Sequence, residues 1–319
     1  MSPSLSGLVR DLHGEMGLPD PGPTGGEHPR YELFHAANSI CSQKVRAVLA
    51  WHGLAYRERT MRIAEGQTYL PSHVRLRMVG CGQISDTLAS RHNGSTSASS
   101  SGCDAAVVPT LIDWAHDAVI VDSRRICQYL DDHADSPVKL RPEAIAAAID
   151  AELAIVDNLP NYQMLVGRRP DGRATPTMHM GGGGPGFSLA KVERCRNYLK
   201  QFAGDPVLAR AYSAKLDKEQ DAADTLFSPE SMQIAYAKAG AACATLEKKL
   251  ARRTSAWLLG DTFSMADLFW AVELLRMDNL CAGDFWRNAR LPCLDAYFRM
   301  ATAQPAIRSA IIDWPGAQY

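Results

Sequence analysis

The sequence has no two cysteines at CxxC spacing and no cysteine–histidine set at zinc-ligand spacing. Its eight cysteines, Cys41, Cys81, Cys103, Cys127, Cys195, Cys243, Cys281 and Cys293, are scattered along the chain. A structural zinc site is therefore not expected. A chain of 319 residues has no need of disulfide staples, so most of these thiols are expected to be reduced and packed. Also missing is any run approaching the roughly 20 apolar residues that span a bilayer. The opening stretch, MSPSLSGLVRDLHGEMGLPDPGPTGGEHPR, lacks the basic segment followed by a long apolar one that forms a secretory signal. A cytoplasmic protein without membrane contact is the expectation. Nor does one sign of charge prevail: 34 Lys plus Arg stand against 35 Asp plus Glu, which leaves no global field to draw the chain onto nucleic acid.

What is present reads as an ordinary globular protein, and the length favours two domains, each able to bury a core. Residues 1–28, rich in Pro, Gly and acidic groups, read as a flexible tail. Residues 31–34 (YELF) form a strand that leads into the polar loop 36–42. From Ser42 onward, Val45, Val48, Leu49 and Trp51 lie at helical spacing and Gly53 supplies a stop, which puts Ser42 at or near the helix N-terminus. With a second strand in 56–63, this is a β-α-β start. Residues 84–106 are dominated by Ser, Gly, Thr and Asn and read as a disordered insertion. VVPTLID (107–113) and AVIVDS (118–123) then form a hairpin around 114–117, followed by a helix from Arg124.

Beyond a linker at 135–142 the patterning is helical only, which gives an α/β domain over 29–135 and an all-helical domain over 136–319. A loop insertion spans 167–187. Its GGGGPG run lacks the Lys-Ser/Thr ending of a phosphate-binding loop and reads as a mobile flap, with His179 beside it in solvent. TFSMADLFW (262–270) has the form of a capped helix start: Ser264 and Asp267 can satisfy each other's exposed amides, and Phe263 can pack on Leu268.

The order of these pieces, β-α-β, then VPTL, a hairpin, an acidic residue plus serine at a helix start, and a helical domain with an internal capping box, resembles the cytosolic glutathione transferases from Tyr31 to about Trp314. The SICSQKVR segment is similar to the loop of bacterial reductive dehalogenases of chlorinated hydroquinones. A serine of some β-etherases, enzymes that cleave aryl ethers, falls opposite Ser42. The C-terminal WLLGDTFSMADLFWAVELLRMDNL and the trailing WPG resemble the same branch.

The resemblance implies a thioredoxin-like domain that binds glutathione as cosubstrate and a helical domain that receives a small aromatic electrophile, in a homodimer or heterodimer. It implies that Ser42 stabilises the glutathione thiolate at a helix N-terminus, although a serine there can equally be a cap. Cys41 would attack a glutathione conjugate in a dehalogenase and would be a semi-buried loop residue in an etherase or ordinary transferase. Val108 and a cis Pro109 would pair with the glutathione backbone. Asp122 and Ser123 would receive its γ-glutamyl end, with Asp122 replacing the family's usual Glu, and Gln67 would touch the glycyl end. Tyr162, Met164 and Trp270 are candidate walls for the aromatic substrate. Ether cleavage or conjugation, which needs only Ser42, is set ahead of dehalogenation through Cys41. A non-catalytic glutathione-binding protein is the alternative class.

Overall fold

The computed structural model describes residues 4–19, 29–97, 102–174 and 183–316; His179, Gly181 and Gly182 lie outside the described residues. A four-stranded sheet in the order β2-β1-β3-β4 centres the first domain. β1 (Tyr31–His35) runs parallel to β2 (Tyr56–Thr60) and antiparallel to β3 (Thr110–Asp113), and β3 pairs antiparallel with β4 (Ala118–Val121). The register sets Leu33, Leu111 and Ile120 in one row across three strands. Since side chains alternate between faces, the next row, with Ile112 and Val119, points the other way.

The first row joins the core formed with α2 (Ile40–Trp51), α4 (Ser123–His133) and the helical domain. The second lies in a separate core with α1 (Leu5–Met16) and α3 (Pro71–Gly82). Both faces are covered, so every residue of β1 is buried. α3 lies so close to β4 that a Cβ on Gly80 would come within 2.7 Å of Val121.

The second domain contains α5 (Ala146–Asp157), α6 (Asn161–Val166), α7 (Pro185–Gln201), α8 (Pro206–Thr225), α9 (Pro229–Arg252), α10 (Met265–Asn279) and α11 (Pro292–Thr302). α10 is its axis: every residue from Met265 to Met277 is buried, the charged Asp267, Glu273 and Arg276 included. It starts at the capping box expected from the sequence, with Ser264 N donating to Asp267 Oδ2 at 2.9 Å. α7 and α8 pack on each other, and α8 also packs on α3 of the first domain.

Two expectations are corrected. The segment assigned to a flexible tail contains α1, whose Leu5, Leu8, Val9 and Leu12 form an i, i+3, i+4, i+7 stripe buried against α3. The described part of the insertion 84–106 is folded: Leu88, Ala89, His92, Ser95, Ser97, Cys103 and Asp104 are all buried. Six of the eight cysteines are free, in keeping with the expectation that most would be reduced, and one pair is bonded. Cys81, near the end of α3, is bonded to Cys103 in the insertion, while Cys41, Cys127, Cys195 and Cys243 are free and buried. The described start of the second insertion is also tied down, with Arg169 Nη1 donating to Leu280 O at 3.0 Å and Arg173 paired with Asp284 at 2.6 Å.

Candidate active site

α2 begins one residue after Ser39, which is its N-cap: the backbone there is extended, and Ser39 Oγ accepts from Ser42 N at 3.4 Å. Ser39 is half-buried, whereas Ser42 has 0% exposure and its Oγ accepts from Ala36 N at 3.3 Å. Ser42, the expected hydroxyl, thus sits inside the first turn with its oxygen turned back onto the loop. The hydroxyl at the helix tip belongs to Ser39. The sequence carried a signal for this: Ser39 stands three residues ahead of Ser42, the spacing at which a cap accepts from the third helical amide.

Two buried guanidiniums hold the loop that leads into this turn. Arg46 donates to Ala36 O at 3.2 Å, Ala37 O at 2.8 Å and Ala310 O at 2.9 Å, and stacks over Trp314. Arg276 of α10 donates to Asn38 O. Three successive carbonyls are thereby turned toward cations, which leaves the α2 amide end facing the junction of the two domains.

Cys41 is 7% exposed, and its Sγ lies 3.8 Å from Thr96 O, a carbonyl of the insertion. Beside it a buried ionic group joins the domains. Lys44 Nζ reaches Asp157 Oδ1 at 3.3 Å and lies 4.4 Å from the centre of the Phe269 ring. Burial opposes its charge, but Asp157, Cys41 and Glu273 hold its pKa above the ordinary value. Burial pushes Glu273 up to about 7 against the opposing pull of Lys44, of Asn161, whose Nδ2 donates to Oε2 at 2.6 Å, and of Arg276. Spacing did not reveal Lys44, Arg46 or Glu273, since charged residues on a helix are normally read as its solvent face.

The Val108–Pro109 peptide is cis and immediately precedes β3. Arg77 of α3, fully buried, fixes this bend: it donates to Pro109 O at 2.6 Å, Thr110 Oγ1 at 2.9 Å and Asp104 O at 2.8 Å. Asp122 has φ +74°, a left-handed conformation that side chains rarely adopt. Its Oδ1 caps α4 by accepting from Arg124 N at 3.1 Å and Arg125 N at 3.2 Å, with Ser123 as the first helical residue. Gln67 lies in a single helical turn, Gln67–Tyr69, its Oε1 accepting from Arg62 N at 2.8 Å.

The three candidate substrate walls are core residues instead. Tyr162 OH is bonded to Ser188 Oγ at 2.7 Å and Glu219 Oε2 at 3.1 Å, Met164 is 2% exposed, and Trp270 Nε1 donates to Glu152 Oε2 at 3.0 Å. An aromatic on a helix is more often packed than ligand-facing, and these follow that rule.

A mixed sheet with a cis-proline bend, an acidic cap of positive φ and a serine-capped helix, packed against a helical domain, defines a two-domain class of α/β plus all-helical proteins. Family models give that class its name. The glutathione S-transferase N-terminal domain matches residues 38–133 and the C-terminal domain matches residues 206–299. The chain belongs to the glutathione S-transferase family, and glutathione is its cosubstrate. It is 36% identical over 291 residues to the 2,5-dichlorohydroquinone reductive dechlorinase of Sphingobium indicum, covering 90% of this chain and 84% of that one. The tetrachloro-p-hydroquinone reductive dehalogenase of Sphingobium chlorophenolicum is 23% identical, covering 90% and 99%. The β-etherase LigF of Sphingobium sp. strain SYK-6 shares the fold, with a TM-score of 0.60 at 17% identity over 89% of this chain and 100% of that one. None of the described helices is long and apolar enough to cross a membrane.

Proposed function

We propose that the protein removes halide reductively from a halogenated hydroquinone, using two molecules of glutathione, with Ser39 and Cys41 as the working side chains. The observation that carries this reading is Cys41, a free thiol in the first turn of α2 two residues after the capping Ser39. The 36% identity to a dichlorohydroquinone reductive dechlorinase extends across both domains and supports it. In the first step the glutathione thiolate, stabilised by the Ser39 hydroxyl and the α2 amides, displaces halide from ring carbon and leaves an aryl thioether. The Cys41 thiolate then attacks the glutathione sulfur of that conjugate. The carbon–sulfur bond breaks, its electron pair goes to the ring carbon, which takes up a proton, and Cys41 is left in a mixed disulfide. A second glutathione thiolate releases Cys41 and departs as glutathione disulfide.

Val108, Pro109, Asp122, Ser123 and Gln67 are assigned to the glutathione backbone, its γ-glutamyl end and its glycyl end. The chain works as one subunit of a homodimer or heterodimer in the cytoplasm. Ether cleavage or simple conjugation is the second reading, favoured by the slight exposure of Cys41, because those reactions need only the hydroxyl at the helix tip.

The test is mass analysis of products from a chlorinated hydroquinone and, in parallel, a β-aryl ether dimer, each with glutathione. Cys41→Ser is expected to abolish the dehalogenated product and accumulate the aryl thioether, while Ser39→Ala lowers the rate of the first step by about a hundredfold, the usual weight of one activating group. Ether cleavage with no dehalogenation by the native enzyme would transfer the assignment to the second reading. Measurable glutathione binding with no product from either substrate would point to a non-catalytic binding protein.

A further inference from the structure

The insertion between α3 and β3 has no part in the reaction just described, yet its described residues are anchored at several points. At its far end Cys103 is bonded to Cys81 and Ala89 N donates to Cys103 O at 2.9 Å. Asp104 O receives the Arg77 guanidinium, and the Asp104 carboxylate accepts from Lys215 Nζ at 2.6 Å and Lys218 Nζ at 3.3 Å, both on α8. At its near end residues 92–97 cross onto the helical domain. His92 N donates to Asp221 Oδ2 at 2.8 Å, and the His92 ring stacks on Tyr162 at 4.2 Å. Gly94 O accepts from Tyr162 N at 2.9 Å, and Ser95 Oγ donates to Asp157 O. Gly94 has φ +84°, where a side chain would be strained, and a Cβ there would meet Gln163 Oε1 at 2.8 Å and have to displace that amide. The next carbonyl but one, Thr96 O, is the group 3.8 Å from Cys41 Sγ.

We propose that residues 92–97 form a wall of the catalytic cleft and that Thr96 is a positioning residue for Cys41: its carbonyl accepts the thiol proton and fixes the direction in which Sγ points, and the Cys81–Cys103 disulfide is the latch that keeps this wall seated. Asp157 couples the wall to the same helix, since its main chain receives Ser95 while its carboxylate holds Lys44, one turn beyond Cys41. A thiol in the first turn of a helix can occupy more than one staggered rotamer about its Cα–Cβ bond unless something outside the helix selects one of them. Here the outside group is a backbone carbonyl carried by the insertion. The proposal rests on Cys41 being the reacting thiol, but its test does not need turnover.

The experiment uses the full chain as native protein, Ser95→Ala and Cys81→Ala/Cys103→Ala. Cys41 alkylation by iodoacetamide is followed by peptide mass, with exposed Cys281 as reagent control and buried Cys127 as packing control. The thiol stretching band that disappears in Cys41→Ala is read by infrared difference. The native band is expected at the lowered frequency of a hydrogen-bonded thiol, rising to that of a free thiol in both variants. Cys41 labelling should rise roughly fivefold in Ser95→Ala, the equivalent of one ordinary hydrogen bond, and more than about tenfold without the latch, while Cys127 stays protected. A native band already at the free frequency, or equal Cys41 labelling in all three proteins, overturns the proposal. If the double variant fails to fold, Ser95→Ala decides alone, because it leaves the disulfide in place. Failure of dehalogenation with these shifts intact would count against the enzyme reading and not against the wall.

Discussion

Glu273 is a carboxyl enclosed on every side, with Asn161 bonded to it and with Lys44, Arg276 and Asp157 acting on it from α2, α10 and α5. Burial outweighs the two cations, so its folded pKa stands at about 7 against 4.5 when unfolded. Because the folded value is raised, the stability this proton supports is present below pH 4.5 and is lost as pH rises through 7. The difference corresponds to about 3 kcal/mol. Denaturant unfolding across that interval should show native protein losing about this much relative to Glu273→Gln, which keeps the bond to Asn161 without a titrating proton. Parallel pH curves for the two proteins would show that the carboxyl titrates as it does in water. At this scale the sequence was legible to within one turn. It put Cys41 and Ser42 at the start of α2, but named Ser42 where Ser39 is the cap, because apolar spacing locates a helix face better than its first residue. Gln43, Lys44 and Arg46 were hidden because a helix wedged between two domains buries its polar face as well.

Elements with local chemistry of their own were readable in advance: the β1-α2-β2 unit, the hairpin of β3 and β4, and α10 with its capping box. The box has a consequence beyond the helix end. Asp267 Oδ2 accepts from Ser264 N at 2.9 Å and Ser264 Oγ at 2.7 Å, and Oδ1 accepts from Leu258 N at 3.0 Å and Tyr297 OH at 2.8 Å. The carboxylate therefore ties α10 to the preceding loop and to α11. Ser264→Ala should cost about 1 kcal/mol, the weight of a cap. Asp267→Ala should cost about 3 kcal/mol or more, since it strands buried donors from three residues. Chemical denaturation measures both, and equal losses would mean that the box acts only as a cap. α1 was missed although its Leu5, Leu8, Val9 and Leu12 carry the helical period, because the Pro and Gly of the surrounding stretch dominated its composition. The insertion was misjudged for a related reason. Its serines and glycines cannot form a core of their own, but they find partners on the helical domain, which local sequence does not describe.

At the scale of the whole molecule α3 is the shared support: it carries Arg77 beside the cis proline and Cys81 on the disulfide, with α1 packed against it and α8 bracing it. Without α1, Leu8, Val9 and Leu12 would no longer cover the second core. Glu32, buried on β1, would also lose His13, which stands 2.7 Å from it, leaving Arg59 at 2.7 Å and the Trp114 Nε1 donor at 3.0 Å. Burying three aliphatic side chains of this size is worth on the order of 5 kcal/mol, offset in part by the entropy of ordering one short helix. A chain lacking residues 1–19 should therefore unfold at lower denaturant concentration and bind an apolar dye at the uncovered face of α3. The loss should extend to the catalytic cleft, because a loosened α3 releases both the Arg77 contact to Pro109 and the anchored end of the insertion. Glutathione affinity should then weaken in the truncated chain while the helical domain keeps its own protection from hydrogen exchange. Unchanged affinity in a destabilised chain would place the support for Pro109 in the sheet and not in α3.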